Sequence, residues 1–140
     1  MNTRMLIAAL IGAIASFLLG WVVFGMLLNP YYEANAVNYV GLYRSGSDMR
    51  LYGIFLSQLA MSGLLAFVFS RWSSVRTFGT GLAGGIIIGG LIALYIDLNM
   101  WSSMNLYPAK VFAVDVIVST AFTGLIGGVV AVVLGWKKSA

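Results

Sequence analysis

Residues 81–97 read GLAGGIIIGGLIALYID, and residues 115–135 read DVIVSTAFTGLIGGVVAVVLG. In the first stretch small residues recur every fourth position and end on an acid: Gly81, Gly85, Gly89, Ala93, Asp97. The second runs the same way from its acid, through Asp115, Ser119, Thr123, Gly127, Ala131 and Gly135. A spacing of four keeps each set on one face of a helix. Small side chains on such a face let two backbones approach closely within a bilayer. A carboxylate at membrane depth is costly, so it faces protein or water rather than lipid. The two stretches therefore predict a close helix pair with two carboxylates near one membrane surface. Gly81, Gly85 and Gly89 are the expected packing residues on one helix, and Gly124, Gly127 and Gly128 on the other.

The rest of the chain extends this reading. Of 140 residues, 61% are hydrophobic and only 9% charged, where a soluble domain carries about 25% charged residues. The mean hydropathy is +0.96. Four apolar stretches reach the length of about 20 residues needed to cross a bilayer: 5–28, 51–70, 78–98 and 111–136. Little chain remains outside them. The expected fold is all-α, one integral membrane domain of four transmembrane helices running antiparallel, up and down. Arg4 followed by an apolar run and Ala13-Ile14-Ala15 has the outline of a secretory signal. The run continues through Trp21 to Leu28, too long for a signal core, and is read as an uncleaved first helix.

Helix one carries a small stripe of its own, Ala8, Gly12, Ser16 and Gly20, and helix two a polar one, Gln58, Ser62, Ala66 and Ser70. Asn29-Pro30 is expected to stop helix one. The connection that follows is rich in tyrosine (Tyr31, Tyr32, Tyr39, Tyr43). Tyrosine and tryptophan collect where membrane meets water, so this segment is expected to lie along the surface, with a short helix near Ala34–Leu42. The third connection is read as Asn99–Lys110. Leu82 is taken as a lipid-facing position.

Basic residues in short loops set orientation. With the N-terminus inside, Arg4, Arg71, Arg76, Lys137 and Lys138 lie on the inner side and Arg44, Arg50 and Lys110 on the outer. The expectation is a bacterial inner-membrane protein with both termini cytoplasmic. The net charge of +4 is then read as membrane anchoring, since the basic residues are scattered and form no run for nucleic acid.

The chain contains no cysteine and no histidine. Thiol–disulfide exchange, bis-histidine haem, Cys/His zinc or copper sites and Ser-His-Asp or Cys-His catalysis are excluded. The glycines of residues 81–90 are not a phosphate loop, because no Gly-Lys-Ser/Thr follows. The seven methionines are read as packing. No cofactor and no metal is expected.

Asp97 lies ~28 Å along its helix from Phe78, and Asp115 about 6 Å into the next. The two acids thus share one side of the membrane, about a turn apart in depth. Asp97, Asp115, Asn99, Asn105, Tyr95 and Arg50 form the candidate binding set. Two readings stand. In one, the carboxylates are structural: they tie the third loop through its amides, or pair with Arg50 or Lys110. In the other, they line a polar pocket open to the outside that takes a cation, a proton, a small solute or a lipid headgroup. No nucleophile or metal set stands beside them, which leans toward a non-enzymatic protein and leaves an enzyme acting on lipid-linked substrates as a third reading. The alternative function is a structural subunit packing through its glycine faces into a homo-oligomer or larger membrane complex. Membrane lipid is the expected partner in either case.

The segments Tyr95-Ile96-Asp97-Leu98-Asn99, Asn105-Leu106 and Val114-Asp115-Val116 carry a resemblance. Together they resemble a family of uncharacterised bacterial four-helix predicted membrane proteins of unknown function. There an Asp-Leu pair ends the third helix, an Asn-Leu follows in the loop, and an Asp appears early in the fourth helix. In that family an aromatic and a small residue often follow the second Asp; here Val118 and Ser119 follow. Gly20-Trp21 and Phe24-Gly25 of helix one are similar too. The resemblance implies that Asp97, Asn99, Asn105 and Asp115 act as one unit. It implies no activity.

Overall fold

The computed structural model of the chain describes residues 3–37, 47, 50–71, 74–103 and 106–136. Helix α1 covers Thr3–Gly20 and runs on through a π-helical segment, Trp21–Leu27; α2 is Asn29–Asn35, α3 Leu51–Arg71, α4 Phe78–Ser103 and α5 Ala109–Gly135. Four of these, with α1 and its π segment counted together, are long and apolar enough to cross a membrane. The protein is an all-α, multi-pass membrane bundle.

Three boundaries differ from expectation, each for a local reason. Asn29-Pro30 does not end helical structure. Pro30 sits in the first turn of α2, where its missing N–H is no loss. Just before it the helix widens, and Leu28 N–H bonds back five residues to the Val23 carbonyl at 2.9 Å. The short helix is thus α2 at Asn29–Asn35, not Ala34–Leu42; residues 38–42 lie outside those described. The third connection is shorter than Asn99–Lys110. No proline or glycine follows Gly90 until Pro108, so α4 continues to Ser103. Pro108 then stands at the N-cap of α5. At the start of α4, Thr77 and Thr80 satisfy each other's backbone N–H groups, at 3.3 and 3.2 Å, as a capping box does.

Successive spans alternate in direction. On α1 and α3, Met5 meets Ser70, Gly12 faces Ser62 and Ser16 meets Gln58. On α4 and α5, Gly81 faces Gly127 and Gly85 faces Thr123 and Gly124. Helix α5 is central and packs on α4, α1 and α3, whereas α4 packs on α5 and only lightly on α3.

The buried stripe of α4 is Gly81, Gly85, Gly89, Ala93 and Asp97. A Cβ at Gly81 would overlap the Gly127 carbonyl, one at Gly85 the Thr123 carbonyl, and one at Gly89 the Thr123 side chain. From the other side, a Cβ at Gly127 would overlap the Gly81 carbonyl, and one at Gly128 the Phe78 ring. At Gly124 it would meet Ile86 Cγ1 at 2.7 Å and Leu82 Cδ1 at 3.4 Å. Leu82 therefore flanks the glycine seam instead of facing lipid. It stands one residue, about 100°, from Gly81. Ile87 and Leu91, 62% and 64% exposed, occupy the outward face.

The apolar core is displaced along the bundle axis. Met5, Ala8, Leu65, Phe69, Val130 and Leu134 belong to one buried cluster, at the end where Arg76 donates to the Phe69 carbonyl at 3.1 Å. At the opposite end, beneath α2, cavities lie between the helices.

Candidate functional site

The space at the α2 end is built around the two acids. Asp97 closes the small stripe of α4 and Asp115 lies in the second turn of α5. The seam brings both acids to the walls of the same cavities. Asp115 is well supplied with donors. The Tyr32 hydroxyl donates to its Oδ1, and Ser119, one turn further along α5, donates from Oγ to Oδ2 at 3.2 Å. Asp97 is not. It is 7% exposed, and its Oδ2 is buried with no hydrogen-bond partner among the described residues.

Helix α2 lies over this pair. Its Tyr32 ring packs near Tyr107, centroids 6.0 Å apart, and Tyr107 in turn meets Phe112 edge-on. The Val37 N–H donates to the Leu106 carbonyl at 3.2 Å, so the chain after α2 is stitched to the connection between α4 and α5. Burial, and then the hydrogen bond to Asp115 and its negative charge, raise the pKa of the Tyr32 phenol above its ordinary value. Tyr32 is thereby held as a proton donor.

Asp97 and Asp115 border two cavities. The first, about 310 Å³, lies beneath α2 and is walled by Tyr32, Ile96, Met100, Tyr107, Val111 and Phe112. The second, also about 310 Å³, extends toward mid-bundle between α3, α4 and α5. It holds Ser57, Gln58, Ser119 and Thr123, with Phe24 of the π segment at its edge. Gln58 is fixed there by the Ser16 hydroxyl, which donates to Oε1. Asp97 also touches an apolar groove of about 450 Å³ between Leu94, Leu98, Trp101, Val116 and Ile117.

The other members of the candidate set lie elsewhere. Tyr95 is 73% exposed; two residues from Asp97 it stands about 200° around the helix, on the far face. Asn99 is displaced by the same angle the other way and is exposed. Arg50 is also exposed. Its carbonyl accepts from Gly53 and Ile54 N–H at the start of α3, and its side chain forms no wall of either cavity. Lys110 is exposed as well. Asn105 lies outside the described residues. The sequence reading omitted Tyr32, Tyr107 and Gln58. Gln58 was visible as the polar head of its stripe. Tyr32 and Tyr107 were not distinguishable from tyrosines anchored at a membrane surface.

Comparison of the chain with protein-family models, curated proteins and solved structures gave no match.

Proposed function

We propose that this is a small non-enzymatic protein of a bacterial inner membrane, with both termini cytoplasmic, that binds a positively charged species at its outer side through Asp97 and Asp115. The supporting observation is the buried Oδ2 of Asp97, which has no donor among the described residues while both oxygens of Asp115 have one. An acceptor left bare in a low-dielectric site costs free energy. Such a cost is offset when a proton or cation arrives. The bias in basic residues counted from sequence supports an outer position for this end of the bundle.

The alternative, a subunit that associates through its glycine faces, has less support. Added Cβ atoms at Gly81, Gly85, Gly89, Gly124, Gly127 and Gly128 would meet atoms of the same chain. The seam joining α4 to α5 already uses those faces.

The test is thermal unfolding in detergent of the wild type, Asp97→Asn, Asp115→Asn and the double variant, across pH and with added Na⁺, Ca²⁺ or an organic cation. The expected result is a pH- or cation-dependent stabilisation of the wild type that Asp97→Asn lacks. The same stability under every condition, in wild type and variants alike, would overturn the proposal.

A further inference from the structure

We infer that the species bound beneath α2 is an organic ammonium ion, a single positive charge carrying apolar substituents; this rests on the cation-site reading above and narrows it. The argument begins with the walls of the 310 Å³ cavity. Tyr32, Tyr107 and Phe112 present aromatic rings, and Ile96, Met100 and Val111 present hydrocarbon and a thioether. Aromatic faces attract cations through their quadrupole, most strongly where water is excluded. The polar part of the wall is the acid pair and the phenols of Tyr32 and Tyr107. Among the described residues Asp97 Oδ2 is buried without a hydrogen-bond partner, and a single positive charge beside it, rather than a multiply charged ion, suits one such oxygen.

An inorganic cation is served poorly by the same wall. Calcium takes six to eight oxygen ligands, and magnesium keeps several waters in a near-octahedral shell. Among the described residues no group of three or more acidic, His or Cys side chains is positioned for a metal. Stripping water from a small ion against Ile96, Met100 and Val111 would cost more than two carboxylates return. An alkylated ammonium carries less hydration, and its substituents fill apolar volume, so the same surfaces favour it.

The ammonium could be a free solute or the headgroup of a lipid, and the experiment separates these. The full chain is placed in nanodiscs of phosphatidylglycerol, which supply no ammonium. Binding of radiolabelled tetraethylammonium is then measured by equilibrium dialysis, with Na⁺, Ca²⁺ and the uncharged isostere 3,3-diethylpentane as competitors. The expected result is saturable binding that resists Na⁺, Ca²⁺ and the isostere. Asp97→Asn should abolish it. Tyr107→Phe, which keeps the ring, should bind as the wild type does, and Tyr107→Leu about tenfold more weakly. Circular dichroism and thermal unfolding check that each variant is folded. Repeating the measurement with phosphatidylethanolamine in the disc assigns the source. Displacement of the probe supports an ammonium site filled by the lipid headgroup, and undiminished binding supports one filled by a free solute. Saturable binding of Na⁺ or Ca²⁺ through Asp97, with none of tetraethylammonium, would overturn the ammonium inference and leave the cation site standing. Failure of every cation, with no response to pH, would remove both.

Discussion

At the scale of single residues, the two acids are unequal, and the inequality is testable. Asp115 accepts from Tyr32 and Ser119, whereas Asp97 buries an oxygen that accepts from no donor among the described residues. An asparagine at 97 would bring an N–H₂ to face Asp115. Asp97→Asn is therefore expected to unfold no more easily than wild type at pH 7, with a gain of up to about 1 kcal/mol, and Asp115→Asn to lose about 1–2 kcal/mol. Thermal unfolding in detergent without added ligand measures both; equal losses would show that the two carboxylates are satisfied alike. Tyr32→Phe removes a donor from a carboxylate at a partly exposed site, at a cost of about 1 kcal/mol near neutral pH. Its pH dependence has a defined sign. The raised pKa of Tyr32 means that the folded protein keeps the phenolic proton to higher pH than the unfolded chain. That stabilisation is complete below the ordinary tyrosine value of about 10 and falls as pH rises through it. The stability gap between wild type and Tyr32→Phe should therefore narrow above about pH 10, and a gap that stays constant there would contradict the pairing. The acids were legible in sequence because a carboxylate in an apolar helix needs a reason. Tyr32 was not, because its partner is Asp115, 83 positions away, and nothing local marks it.

At the scale of elements, the seam between α4 and α5 carries the position of both acids. Its glycines differ in what an added methyl group would meet. At Gly85 the obstacle is the backbone at Thr123 and Gly124, which cannot rotate away. At Gly63 on α3 there is nothing within 4 Å. Gly85→Ala and Gly89→Ala should each cost about 1–3 kcal/mol or more. Gly63→Ala should be neutral or favourable by up to about 1 kcal/mol, since alanine is the better helix former. Ile87→Ala, on the outward face, serves as a second control with little expected change. Comparable losses at all four positions, in detergent unfolding, would mean that the seam is not held by backbone approach. The spacing of four in Gly81, Gly85, Gly89, Ala93 and Asp97 was readable directly, because helix period and burial coincide there. The π segment and α2 were not. Asn-Pro stops a helix or starts one, and the sequence around Asn29 does not distinguish the two. The fate of Tyr95 was readable in principle, because a residue two positions from Asp97 cannot share its face.

At the scale of the molecule, a core packed toward the Arg76 end leaves the α2 end with cavities, acids and a lid. Hydropathy alone fixes the number of spans, since each needs only length and apolar composition. It leaves open which helices pack together, because that depends on contacts between distant segments such as Phe69 with Gly84. Orientation rests on the five and three basic residues assigned to the two sides. Reporter fusions after residue 140 and in the connection near Gly46 should report opposite sides of the membrane, with the former cytoplasmic; the reverse would place the acids on the cytoplasmic side. The central claim is that Asp97 is a buried carboxyl group awaiting a positive charge. A lipid-soluble carbodiimide tests it most directly, because it modifies carboxyl groups within apolar surroundings and peptide mass analysis locates the adduct. The account predicts modification at Asp97 and protection of Asp97 when a cation that binds, inorganic or ammonium, is added first. Modification of Asp97 to the same extent with and without every cation tested would contradict it.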